Sequence, residues 1–131
     1  MDAPPIVGVR HIALKVRNLQ RSLDFYQKVF GFRLEWFPDK QNAYLTSGSD
    51  NLALHELPAG TTPADTQLLD HIGLIVRKPE DVDAWAERVQ TSGLTLEKAP
   101  KTHRDGARSF YMRDPDGVLI QVIYHPPISG L

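Results

Sequence analysis

The sequence predicts an α+β domain made of two βαβββ modules, and three observations support this prediction. First, the chain repeats itself: VRHIALKVR at 9–17 matches LDHIGLIVR at 69–77 with an offset of 60, and GFRLE at 31–35 matches GLTLE at 93–97 with an offset of 62. Second, each repeat opens with alternating apolar residues, which indicate a half-buried strand. Third, an amphipathic helix pattern follows each strand, and three short strand-like segments complete each half.

The first half shows the signals of a helix followed by three strands. Asn18 is suited to cap the start of the helix, and Gly31 is suited to end it. Three strands are then expected at about 32–37, 43–46 and 51–57.

The second half repeats this order. Pro79 suits the first turn of its helix. Strands are expected at about 95–97, 108–113 and 118–124, and the DPDG sequence between the last two favours a tight turn.

We expect one domain over residues 1–131, because this length is that of an ordinary single domain. Module one covers about 6–57, a linker rich in Pro, Gly and Thr covers 58–67, and module two covers about 68–125.

Composition excludes several classes of protein. No apolar run approaches the ~20 residues of a membrane-spanning helix, and the N-terminus has no basic region followed by an apolar stretch, so a cytoplasmic protein is expected. A net charge of −1 gives no overall field for nucleic acid or membranes. The chain has no cysteine, so any metal must be held by His, Asp, Glu or amide oxygens.

His11 and His71 hold equivalent positions in the two first strands. Both lie on the face opposite the Ile/Leu/Val stripe, and a small residue, Ala13 or Gly73, follows each two positions later. If the modules pack about a pseudo-twofold axis, the two imidazoles face a shared site. The alternative is two buried histidines, each satisfied by a backbone partner.

The last strands add a carboxylate and an amide. Aligning LHEL at 54–57 with LIQV at 119–122 makes Glu56 equivalent to Gln121, and strand parity then favours Glu56 over His55 as a site residue. A β-bulge would reverse that choice. Two imidazoles, a carboxylate and an amide oxygen suit a borderline divalent ion such as Fe, Mn, Ni, Co or Zn. Gln121 is alternatively an ordinary polar residue of a pocket.

Four segments resemble the vicinal-oxygen-chelate superfamily, which includes glyoxalases, bleomycin-resistance proteins and extradiol dioxygenases. They are RHIALKV at 10–16, SLDFYQKVFGF at 22–32, DHIGL at 70–74 and RDPDG at 113–117. The resemblance covers essentially the whole chain. It implies paired modules that form a cupped mixed sheet around a cleft, with the helices on the outer face.

The resemblance also implies a metal site. Family ligands commonly occupy positions that hold His11, Glu56, His71 and Gln121 here. Gln in place of Glu at the last position departs from the family pattern. Some family members, notably bleomycin-binding proteins, use no metal.

A second, local resemblance points to substrate contacts. SFYMRDPDG at 109–117 is similar to the corresponding stretch of fosfomycin-modifying enzymes and extradiol dioxygenases, in which a Tyr ten residues before the last ligand contacts substrate. Tyr111 stands ten before Gln121 and is the expected acid or hydrogen-bond donor, with Glu56 as a second catalytic residue. The alternative for Tyr111 is a surface strand aromatic. The residues expected to bind substrate are Trp36, His103, Arg108, Ser109 and Phe110.

These expectations combine into a small metalloenzyme that binds a substrate through two adjacent oxygens. Lyase, isomerase or dioxygenase chemistry fits that description. Ala13 stands where fosfomycin-modifying transferases place a hydroxyl residue, which counts against that activity. The alternative is a metal-free protein that binds an aromatic or cationic small molecule. A homodimer is expected, because two-module chains of this superfamily usually complete their cleft across a dimer interface.

Overall fold

The computed structural model describes residues 3–64 and 68–131. The chain divides into two compact units, Met1–Thr62 and Pro63–Leu131. Their boundary falls within the linker predicted at 58–67, of which residues 65–67 lie outside the described residues, as do the first two residues of the N-terminus.

Module one is a four-stranded mixed sheet with one helix. Its elements are β1 (His11–Val16), α1 (Leu19–Phe30), β2 (Arg33–Asp39), β3 (Asn42–Thr46) and β4 (Asn51–Glu56). The strand order is β1-β4-β3-β2, with β1 parallel to β4 and the other neighbours antiparallel.

Helix α1 begins and ends where the sequence predicts. The Asn18 side chain accepts a hydrogen bond from the Arg21 backbone N–H at 2.9 Å, and Gly31 ends the helix in a left-handed conformation with φ of 71°. Leu19, Leu23, Tyr26 and several neighbours on one stripe are buried. That stripe contributes to the module's core together with the apolar side chains of β3 and β4.

Module two repeats the arrangement. Its elements are β5 (Ile72–Val76), α2 (Pro79–Thr91), β6 (Leu96–Thr102), β7 (Arg108–Arg113), β8 (Leu119–Tyr124) and a short α3 (Pro126–Ser129). The strand order is β5-β8-β7-β6, with β5 parallel to β8. The prediction of two βαβββ modules is therefore confirmed, while their pairing around one cleft stays a prediction.

Two features of module two differ from the sequence prediction. Strand β6 runs to Thr102 rather than ending near 97, because its irregular pairing with β7 continues through Lys98 and Lys101. Helix α3 was not expected. Among the described residues, no helix is long and apolar enough to cross a membrane.

Candidate metal and ligand-binding site

His11 lies on the face of its sheet that α1 does not cover, and a neighbouring strand holds its ring. Its Nδ1 lies 2.8 Å from Asn51 Oδ1, and Asn51 Nδ2 in turn donates to Glu35 Oε2 at 3.2 Å. An amide oxygen only accepts, so His11 carries its proton on Nδ1. The Nε2 atom therefore keeps its lone pair, which is the form that binds a metal.

Glu56 lies on the opposite face, so the expectation that it joins His11 is wrong. The parallel register pairs Val16 with Glu56 and Lys15 with His55, which places Glu56 on the side of the helix. There its Oε2 accepts a hydrogen bond from the Leu19 backbone N–H at 2.8 Å. The carboxylate thus stabilises the positive N-terminal end of α1 and is not directed to the site.

The register also explains this error. In module one Ala13 pairs with Ala53, and in module two Gly73 pairs with Gln121. The residue equivalent to Gln121 is therefore Ala53, three positions before Glu56. The sequence alignment of the two last strands was displaced by that amount.

His55, which the sequence analysis placed second to Glu56, shares the face of His11 and has a similar hydrogen-bond arrangement. Its Nδ1 lies 2.6 Å from Asn42 Oδ1, and Asn42 Nδ2 donates to Asp39 Oδ1 at 2.8 Å. The Gln41 backbone N–H, followed by the Asn42 amide, lowers the pKa of Asp39. His55 is four residues along β4 from Asn51, about 13 Å, so it cannot share a metal ion with His11.

Trp36 is on the surface of β2 and 59% exposed. It stacks on Tyr44 with ring centroids 5.1 Å apart and an angle of 21° between the planes. Tyr44 in turn meets the ring of His55 edge-on at 5.8 Å. The three rings form a continuous aromatic cluster, of which Trp36 is the exposed member.

His71 precedes β5 and is held in the same tautomer as His11. Its Nδ1 lies 2.6 Å from Asp70 Oδ1. Because a carboxylate oxygen accepts, Nδ1 carries the proton and Nε2 keeps its lone pair. Its ring meets the edge of Tyr111 at 5.9 Å between centroids. Tyr111 pairs directly with Gln121 across β7 and β8, so these three side chains occupy one face of module two.

Gln121 belongs to a hydrogen-bonded chain of three side chains. Its Nε2 donates to Ser109 Oγ at 3.1 Å, and Ser109 Oγ lies 3.0 Å from His103 Nε2. Ser109 is only 2% exposed, and its hydroxyl is hydrogen-bonded to Gln121 and His103. The sequence prediction that Ser109 contacts the substrate directly is therefore not supported.

Two further residues expected to bind substrate face the wrong way. Phe110 is 0% exposed and belongs to the core, because strand alternation turns it to the opposite face from Ser109 and Tyr111. Arg108 shares the core-side face and makes two hydrogen bonds to Asp83 of α2, at 2.9 and 2.6 Å. The Arg108 guanidinium therefore links β7 to α2 and is not directed to a substrate.

An open pocket of about 860 Å³ adjoins Gln121 and Tyr111 within module two. Its polar lining comprises residues from β6, the following turn, β7, β8 and the position directly after β8: Lys101, Thr102, His103, Arg104, Asp105, Tyr111, Gln121 and His125. The Nδ1 atom of His125 is buried and has no hydrogen-bond partner among the described residues. His125 was not among the predicted site residues, because nothing in its spacing distinguishes it from an ordinary residue at the end of a strand.

Metal donors do not cluster within either unit. Over residues 3–64 and 68–131, no three His, Asp or Glu side chains of one unit come together as a metal site. Each module instead presents its own imidazole, His11 or His71, and module two adds the amide of Gln121.

Comparison with known proteins identifies the family. Glutathione transferase FosA of Serratia marcescens is 31% identical over 88% of this chain and 79% of its own length. The phenazine antibiotic resistance protein EhpR of Enterobacter agglomerans is 30% identical over 82% of this chain and 84% of its own. The solved lactoylglutathione lyase from Agrobacterium tumefaciens shares the fold, with a TM-score of 0.78 at 20% identity over 95% of this chain and 98% of that one.

The family model described as the Glyoxalase/Bleomycin resistance protein/Dioxygenase superfamily matches residues 8–122, which is most of the chain. The match spans both modules, including His11, His71 and Gln121. The chain therefore belongs to the glyoxalase/bleomycin resistance protein/dioxygenase superfamily.

Proposed function

We propose that this chain is a metal-dependent enzyme that binds a divalent cation through His11, His71 and Gln121 and its substrate through two adjacent oxygens. The observation that carries the proposal is the shared tautomer of the two equivalent histidines. In each ring an oxygen acceptor holds Nδ1, at 2.8 Å for His11 and 2.6 Å for His71, so that Nε2 is left to coordinate.

The donor set fits a borderline divalent ion such as Mn, Fe, Co, Ni or Zn. All three donors are neutral, which makes the site weaker than one with a carboxylate ligand. Two carboxylates that lie behind the histidine ligands supply part of the missing negative charge. Asp70 accepts a hydrogen bond directly from His71, and Glu35 accepts one from Asn51, the partner of His11. Such carboxylates raise the basicity of an imidazole ligand and fix its orientation.

Lyase or isomerase chemistry suits these residues best. The cation, when bound, acts as a Lewis acid toward the substrate oxygens. Tyr111, which lies beside His71 and opposite Gln121, donates its hydroxyl proton to the oxygen on which negative charge develops. Dioxygenation is disfavoured, because it usually employs two His and a carboxylate, and Glu56 is bound to the N-terminus of α1.

The proposal is tested by metal titration calorimetry of the wild type and of the His11→Ala and His71→Ala variants with Mn, Fe, Ni and Zn salts. Each variant should lose at least tenfold in affinity, about 1.4 kcal/mol. His55→Ala is the matched control, since its ring has the same kind of partner and lies about 13 Å away along the strand. Unchanged affinity in both test variants, or an equal loss in the control, would exclude the proposed ligands.

A second candidate function is binding of a planar aromatic or cationic molecule without metal. It is favoured by the exposed Trp36 stacked on Tyr44 and by the similarity to EhpR, a phenazine antibiotic resistance protein. It predicts that phenazine quenches Trp fluorescence equally with and without chelator, and that Trp36→Ala weakens binding. Complete loss of binding in chelator would refute this second function.

A further inference from the structure

We infer that Ser109 and His103 are positioning residues that hold the side-chain amide of Gln121 with its oxygen presented to the ligand. The inference rests on the proposed function, in which Gln121 coordinates a cation. It adds how neighbouring side chains orient the Gln121 amide so that its oxygen can coordinate the cation.

A glutamine at a cation site has an orientation problem that a glutamate does not have. The two carboxylate oxygens of glutamate are equivalent, so either can coordinate. The amide of Gln121 has one acceptor, Oε1, and one donor group, the Nε2 amine. Only one of the two rotamers related by a half-turn of the amide therefore binds a cation, and the other places N–H dipoles against it.

Ser109 selects between these two orientations. Gln121 Nε2 donates to Ser109 Oγ at 3.1 Å, which turns the amide nitrogen toward the serine and leaves Oε1 for the ligand. Ser109 is 2% exposed, so its hydroxyl hydrogen needs a partner within the protein. That partner is His103 Nε2 at 3.0 Å, which accepts when His103 is neutral with its proton on Nδ1.

The turn after β6 holds His103 in place for this role. The His103 backbone N–H donates to Ala107 O at 2.7 Å, and the Gly106 N–H donates to His103 O at 3.0 Å. Asp105 Oδ1 accepts from the Ala107 N–H at 2.9 Å and closes the turn. The imidazole is thus presented to Ser109 by a turn with its own hydrogen bonds.

If these hydrogen bonds ran in the opposite direction, Gln121 would present the other end of its amide to the ligand. If His103 carried its proton on Nε2, it would donate to Ser109, Ser109 would donate to Gln121 Oε1, and the amide nitrogen would face the ligand. The tautomer of His103 therefore decides which group of Gln121 faces the ligand. With the proton on Nδ1, Gln121 presents an acceptor that suits a cation or a hydrogen-bond donor. With the proton on Nε2, it presents a donor group that suits an anion.

Nitrogen-15 NMR of the metal-free protein at about pH 8 tests the orientation directly. We expect His103 to show the tautomer protonated on Nδ1, and Ser109→Ala to redistribute the His103 tautomers and alter the Gln121 amide signals. Ser109→Thr, which keeps the hydroxyl, should restore the wild-type signals. His125→Gln, a change in the same pocket outside the hydrogen-bonded chain, should leave them unaltered.

Metal titration of the same proteins provides the second measurement. Losing one orienting hydrogen bond should weaken Mn or Ni binding by about three- to tenfold in Ser109→Ala, with recovery in Ser109→Thr. A His103 protonated on Nε2, or NMR signals that Ser109→Ala leaves unchanged, would overturn the inference even if metal binds. The expected NMR result with no metal binding by any protein would instead refute the proposed function and leave the orientation of Gln121 standing.

Discussion

Replacing Glu56 tests whether this residue is a metal ligand, as the family resemblance implies, or stabilises the start of α1, as the structure shows. The Glu56 carboxylate is half-buried and accepts the Leu19 backbone N–H at 2.8 Å, at the first residue of α1. A hydrogen bond to a charged group contributes about 1.5–3 kcal/mol, and a negative charge at a helix N-terminus adds about 0.3–1 kcal/mol. Because the group is partly solvated, we expect Glu56→Ala to lower the free energy of unfolding by about 2 kcal/mol.

The charge and the hydrogen bond can be separated by a second variant. Glu56→Gln keeps an acceptor oxygen and loses only the charge, so its cost should be about 1 kcal/mol or less. Asn18→Ala is the matched control: it removes the neighbouring cap to the Arg21 N–H and should cost about 1 kcal/mol. Urea denaturation measures all three variants, and metal titration of the same samples should show wild-type affinity.

The opposite pattern would refute this reasoning. If Glu56→Ala kept wild-type stability and lost metal affinity, Glu56 would be a ligand and the assigned register of β1 with β4 would be incorrect.

Three further predictions concern packing, pH dependence and assembly. Phe110→Ala should cost about 3–5 kcal/mol of stability and Tyr111→Phe less than about 1 kcal/mol, and equal costs in denaturation would contradict the assigned strand faces. The hydrogen bond from Arg108, followed by its charge, lowers the pKa of Asp83, so this pair stabilises the fold above the ordinary carboxyl pKa and loses its effect as pH falls through the lowered value. The stability gap between wild type and Arg108→Met should therefore stay constant from pH 7 to about pH 5 and shrink as the pH falls below the ordinary carboxyl pKa of about 3.9, and a gap that stays constant in acid would contradict the pairing. The protein should be a homodimer by light scattering at micromolar concentration, and a monomeric mass would contradict this.

The order of elements could be predicted because it depends on local signals. The alternating strands, the Asn18 cap and the helix-ending Gly31 each reflect interactions between residues close in sequence. Strand β6 was predicted too short, because its sequence LEKAPKT lacks an apolar alternation and its extent depends on pairing with β7.

The site could be predicted only in part, because strand register is a non-local property. A shift by an odd number of residues exchanges the two faces of a strand, and the alignment that equated Glu56 with Gln121 was displaced by three residues. Tyr111 and Gln121 pair across β7 and β8 and line one pocket, while their roles in a site stay predictions. The partners of the two histidines, Asn51 and Asp70, were not foreseen, since nothing in their spacing indicates a hydrogen bond.

The most direct test of the proposed metal site is calorimetric titration of the metal-free wild type and Gln121→Glu with Mn, Fe, Ni and Zn salts at one pH. A carboxylate at this position adds a negative charge to an otherwise neutral donor set, and unit charges 4 Å apart interact by about 4 kcal/mol at an effective dielectric of 20. Desolvation of the carboxylate offsets part of this gain, so we expect binding at least about tenfold tighter in the variant. Equal or weaker binding by the variant for every metal would contradict the assignment of Gln121 as a ligand.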